Sequence, residues 1–229
     1  ALTMILYIVM GSSYVPKEIR EYLDESTLRL YKSSRSKSDD VQGGLYAASL
    51  LVDDLLSLKK FAHASKLVKA CERFLIYKRD KFLTERNSDQ DTDNVDLGMP
   101  ADLVIKYAIC QISLRDVREA IQSLEPLLRI RRPLEKSTIL LLFEAGRSMR
   151  SQNFHSEHFA FHKKLSRVPK HNRKFRADIC LILAEAARSY LSQPETAHKY
   201  YQEALIHQPG RLETFINLGE LCRTQYTQS

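Results

Sequence analysis

Three histidines, His155, His158 and His162, stand at i, i+3 and i+7, which puts all three on one stripe of a helix, as a metal site requires. No carboxylate or cysteine at ligand spacing completes the set, and the intervals are not those of a metalloprotease, so packed or solvated histidines are expected and no metal is assigned. Asp89, Asp91, Asp93 and Asp96 alternate as in a calcium loop. The central Gly and the closing bidentate Glu of such a loop are missing, and the stretch reads as a solvated acidic loop. Cys71, Cys110, Cys180 and Cys222 lie too far apart for paired zinc spacing, and three of them fall on apolar helical faces, which favours reduced, packed thiols. There is no Gly-rich turn after a strand, no Ser in a nucleophile elbow and no Cys with an obvious His partner. Neither an enzyme nor a cofactor is expected.

What remains is recognition by charge, and that depends on the elements that carry the charges. The 229 residues include only seven Gly and seven Pro, while 44% are apolar, which suits an all-helical chain with short connections and a continuous core. The net charge of +7 comes from 35 basic and 28 acidic residues mixed along the chain. Such mixing reads as a solvated surface, without the continuous basic stripe that nucleic acid demands. The apolar run Leu2 to Met10 is half of what a bilayer needs and has no basic residue before it, so neither a membrane span nor a signal peptide is expected.

Helical periodicity is strongest between Leu183 and Cys222. Leu183, Ala186, Ala187 and Tyr190 outline one helix; Ala197, Tyr201, Ala204 and Pro209 outline the next, and Phe215, Leu218, Gly219 and Cys222 begin a third. Small residues where two backbones approach, an aromatic filling the gap and a stopping Pro resemble the tetratricopeptide (TPR) repeat, a helix-turn-helix of about 34 residues. The fold class expected is therefore all-α, a TPR α-solenoid of antiparallel helix pairs.

Residues 1–44 read as an N-terminal helical segment and a Ser-rich polar linker, whose serines are candidates for phosphorylation. Residues 45–229 read as an array of four helix pairs and the first helix of a truncated fifth, with the acidic loop near 84–99. In the first pair Ala48, Leu51, Val52 and Leu55 make one face, Lys59 and Lys60 the turn, and Ala64, Val68 and Cys71 the second helix from Phe61. The second pair starts at Pro100, with Val104, Tyr107, Ala108 and Gln111 facing Ala120, Leu124 and Leu127, and stops at Pro133. The third takes Leu141, Glu144, Ala145 and Ser148, then Phe161 and Leu165, and closes at Pro169. Repeat-packing roles thus go to Ala64, Tyr107, Ala108, Ala120, Ala145, Ala187, Tyr190, Ala197, Tyr201, Ala204 and Gly219. First helices of such an array line a concave groove, where Lys106, Arg150, Arg188 and Arg223 are placed to hold an acidic segment or a terminal carboxylate.

Between Gly44 and Gln225 the order of parts goes further. A first repeat "LYAASLLVDDLLSLKKFAHASKLVKACERF" is followed by a polar insertion, then by "PADLVIKYAICQISLRDVREAIQSLEPL" and a degenerate third repeat ending in Pro169. With Pro100, Asp102, Tyr107 and Cys110 after the loop, this is similar to the TPR subunits of the anaphase-promoting complex, most of all to the N-terminal half of its seventh-subunit family. The resemblance implies a non-catalytic scaffold of a large ubiquitin ligase controlling mitosis, nuclear and cytoplasmic. It further implies sister TPR subunits as partners and a homodimer formed through the N-terminal repeats. Leu51 and Leu55 are the candidate dimer contacts. The alternative is a TPR peptide-binding adaptor of the chaperone or transport type. Adaptors of that kind that clamp a carboxylate place Lys and Asn on successive first helices, and here Asn217 is the only Asn on a first helix.

Overall fold

The structure, a computed structural model, describes residues 41–85, 98–130, 134–168 and 173–226. These are all-helical, without strands among the described residues, as the composition leads one to expect. The N-terminal segment, most of the acidic loop, Pro133 and Pro169 lie outside the described residues. The chain divides into two compact units, Ala1–Leu114 and Arg115–Ser229.

The first unit holds α1 (Val41–Ser57), α2 (Phe61–Glu85) and α3 (Ala101–Ser113). Leu45, Ala48, Val52 and Leu55 recur every three or four residues along α1, so they share a face, and that face is buried against Leu67, Val68, Cys71 and Phe74 of α2 and Leu103 and Tyr107 of α3. Each fully buried large apolar side chain contributes about 1.5–3 kcal/mol by leaving water. Leu55, expected on a dimer surface, is part of this core, and Leu51 is half-buried against it; the i+3/i+4 spacing that singled them out is the spacing of the inward face. The outward side of α1 carries Tyr46 and Leu50, and Leu58 follows its end, all about half exposed or more.

The second unit holds α4 (Val117–Leu128), α5 (Lys136–Ser151), α6 (His155–Leu165), α7 (Arg173–Ser189), α8 (Pro194–His207) and α9 (Leu212–Tyr226). Asp116 caps α4 by accepting the Glu119 backbone N–H at 3.1 Å, and Lys164 of α6 holds Glu125 of α4 at 2.6 Å. Helices α7 and α8 pack face to face over Leu181, Ala184, Ala187, Ala197 and Tyr201, with Leu221 of α9 closing the cluster. The small residues let the backbones approach and the Tyr201 ring fills the space between them. Ala187, Ala197, Tyr201 and Ala204 are buried, as are Ala64, Ala108 and Ala120.

Three packing assignments are corrected. The inward face of α5 is Leu142, Ala145, Gly146 and Met149, while Glu144 is exposed and Leu141 and Ser148 are half-buried. A one-residue slip turns a helical face by about 100°. The small residue opposite the second helix is Gly146, because a Cβ there would stand 2.7 Å from His162 Nε2 and nearer still to its Cε1. Tyr190 lies past the end of α7 and stacks on His155, ring centroids 3.9 Å apart. Gly219 is exposed on α9, and nothing lies within 4 Å of where its Cβ would be.

Within each helix-turn-helix one non-glycine residue has a positive φ: Lys59, Arg115, Asn153 and Ser192, between α1 and α2, α3 and α4, α5 and α6, and α7 and α8. At Lys59 and Asn153 the hydrogen bonds identify a Schellman ending. Lys60 N donates to Leu55 O and Lys59 N to Leu56 O; Phe154 N and Asn153 N donate likewise to Met149 O and Arg150 O.

Candidate functional site: a mixed-charge groove in the second unit

A cavity of about 380 Å³ opens between α5, α7 and the start of α9. Helix α5 supplies Leu140, Phe143, Arg147 and Arg150, each one turn from the next. Helix α7 supplies Asp178, Ile182 and Glu185 at i, i+4 and i+7, the stripe set apart from its buried Ala184 and Ala187. Arg211 and Glu213 close one end, and His158 and His162 of α6 reach it from beneath.

The charges of this groove are arranged in pairs. Arg211 bridges Asp178 and Glu213, the latter at 3.1 Å. Arg150 donates from Nε to the Tyr190 hydroxyl at 2.9 Å, lies over that ring and stands 3.8 Å from Glu185. Burial pushes the Glu185 carboxyl above the usual range, with Arg150 only partly offsetting it. Glu185 is thus a carboxylate whose ionised form still gains from a further donor. Apolar Phe143, Leu181 and Ile182 lie between the charged edges.

The histidines do not converge on an ion. His155 is stacked on Tyr190, and His158 and His162 sit side by side with centroids 4.4 Å apart. His162 Nδ1 donates to the His158 carbonyl at 2.9 Å, which leaves Nε2 as a buried acceptor with no partner; His158 Nδ1 is in the same position. Burial, then the charges of His162, Arg150 and His155, lowers His158 to about 3, and burial lowers His162 to about 4. Both rings are neutral in the native protein.

Of the four cations read from the sequence, only Arg150 lines this cavity. Arg188 is directed to Glu220, 3.2 Å away, and Arg223 is exposed on α9. Lys106 belongs to the first unit and is buried, its ammonium donating to Ser49 O at 3.2 Å, Ser49 Oγ at 2.6 Å and Asp53 Oδ2 at 2.7 Å. Three donors meet three acceptors there, so Lys106 ties α3 to α1 and has no role on a groove. Asp178, Glu185, Arg211 and Glu213 are groove residues that the sequence pattern did not single out. Asp178 and Glu185 at i and i+7 on α7, with Ile182 between them on the same stripe, were the signal available.

No protein-family model and no curated protein sequence matches the chain. No helix among the described residues is long and apolar enough to cross a membrane.

Proposed function

We propose that the chain is a non-catalytic TPR scaffold, of the anaphase-promoting-complex type, whose groove on α5, α7 and α9 takes up a segment of a sister subunit. The observation that carries the reading is the groove itself: alternate helices present their outward stripes to one cavity, with cations, carboxylates and an apolar floor in reach of each other. A segment entering it meets preformed charge pairs, so specificity comes from matching both signs rather than from a single basic patch. The recurring left-handed residue in each helix-turn-helix, at intervals of 56, 38 and 39 residues, supports the repeat reading, the first interval containing the polar insertion.

Self-association belongs to the same proposal, with a revised surface. Tyr46 and Leu50 on α1, with Leu58 just past its end, are exposed apolar side chains that a second copy can cover, in place of Leu51 and Leu55.

Binding to purified sister TPR subunits, followed by light scattering, tests the assignment. Ile182→Glu combined with Arg150→Glu is expected to abolish the complex while helicity stays at the wild-type level, and Tyr46→Glu with Leu50→Glu to dissociate the dimer alone. Full binding by the groove variant would remove the groove from the function. A monomer at every concentration would remove the dimer and favour the peptide-binding adaptor.

A further inference from the structure

We propose that Cys180, Glu203 and His207 form a zinc(II) site that staples α7 to α8 on a part of the second unit separate from the groove. Cys180 lies on α7 one turn before the buried Ala184, and Glu203 and His207 stand at i and i+4 on α8, flanking the buried Ala204. The close contact of the two helices through their alanines brings the three side chains together. The Cys180 sulfur, a Glu203 oxygen and a His207 ring nitrogen all lie within 4.8 Å of one another. Among the described residues this is the group of metal-ligating side chains so placed.

A tetrahedral ion bonded to sulfur at about 2.3 Å and to nitrogen and oxygen at about 2.0–2.2 Å needs its donors about 3.5 Å apart. The gap closes by roughly an ångström of side-chain rotation, and the gradation of exposure shows which side chains supply it. Cys180 is buried and fixed, His207 is half-buried and Glu203 is exposed. The protein therefore presents one anchored ligand and two adjustable ones, with the fourth position open to water on the Glu203 side. A thiolate, an imidazole and a carboxylate are a borderline-soft set that suits zinc, whereas calcium and magnesium take oxygen donors. Cys180 is in no disulfide. On binding, the ion takes the thiol sulfur as thiolate, and the displaced proton leaves to solvent.

Beside the site Tyr200, one turn ahead of Glu203, is half-buried, its ring packed edge-on against Phe159. None of the three ligands lines the groove, so the site stands or falls independently of the scaffold assignment.

Cobalt(II) titration of the 229-residue chain, read by absorption, tests the site. One ion per chain is expected, with a thiolate-to-cobalt charge-transfer band and tetrahedral ligand-field bands that zinc abolishes by displacement. Cys180→Ser is expected to remove the charge-transfer band. His207→Gln and Glu203→Gln each are expected to weaken affinity by more than the about 10–100-fold that loss of a supporting partner costs at a metal site. The thermal midpoint of the wild-type chain should rise with zinc concentration, and that of Cys180→Ser should not. His155→Gln, on the histidine stripe, should leave all of this unchanged. A spectrum without the charge-transfer band, or wild-type affinity in the exposed-site variant Glu203→Gln and in His207→Gln, would overturn the proposal even if Cys180→Ser failed to fold.

Discussion

Replacing Gly146 by Ala sets two effects of opposite sign against each other. Gly146 lies inside α5, where exchanging Gly for Ala normally stabilises a helix by about 1 kcal/mol. Here the added methyl would stand 2.7 Å from His162 Nε2, closer than non-bonded atoms tolerate. The ring has little room to yield: His162 Nδ1 is held by the His158 carbonyl, Phe161 lies edge-on at 5.1 Å and Phe143 at 6.3 Å. Overpacking at such a site costs about 1–3 kcal/mol, and the rigid surroundings put it near the upper end, so the net loss is about 2 kcal/mol. That corresponds to a fall in Tm of about 8 °C for a unit of this size. Thermal unfolding followed by far-UV circular dichroism measures it. The double variant Gly146→Ala with His162→Ala separates the causes: without the ring, Ala at 146 should stabilise relative to Gly, and the coupling between the two sites should be strongly non-additive. A neutral or stabilising Gly146→Ala in the native background would refute the packing of α5 on α6 as described.

The other predictions concern charge, thiols and turns. His158 and His162, at about 3 and about 4, stay neutral in the native state while the unfolded chain protonates them below about 6.5. The unfolded state then binds more protons, so stability present above about pH 6.5 is lost as pH falls, by about 1–2 kcal/mol per histidine at about pH 5; His158→Gln and His162→Gln should flatten that slope in urea titrations. Asp53→Ala takes away the nearer of the two carboxylates beside the buried Lys106 ammonium, Asp102 standing 3.9 Å away, and should cost about 1–3 kcal/mol, more than Lys106→Met, which removes the charge as well. Cys71 and Cys110, their thiols pushed up to about 12 by burial, should react with alkylating reagents only as the protein opens, while half-buried Cys222 reacts first; mass spectrometry of a labelling time course checks the order. Lys59→Gly relieves a side chain in the left-handed region and should raise the unfolding free energy by up to about 1 kcal/mol.

The helical class, the turn at Lys59 and Lys60 and the start of α2 at Phe61 were readable because helical spacing and backbone preference are properties of neighbouring residues. So were the start of α3 after Pro100, the small positions of α7 and the small and aromatic positions of α8. The third helix pair was misread in part: Ala145 is buried, but Leu142, Gly146 and Met149 take the inward places given to Leu141, Glu144 and Ser148, and only the ring of His162, packed from another helix, shows that residue 146 must be small. Charge was least legible. A lysine on an exposed-looking stripe became a buried tether because Ser49 and Asp53, more than fifty residues earlier, were brought to it by the packing of α1 on α3. In the same way Cys180 met Glu203 and His207, and the α7 carboxylates met Arg150 and Arg211, only when separate helices packed together. Local periodicity fixes which residues share a face. Which partner that face meets depends on contacts between distant segments, and a one-dimensional pattern does not contain them.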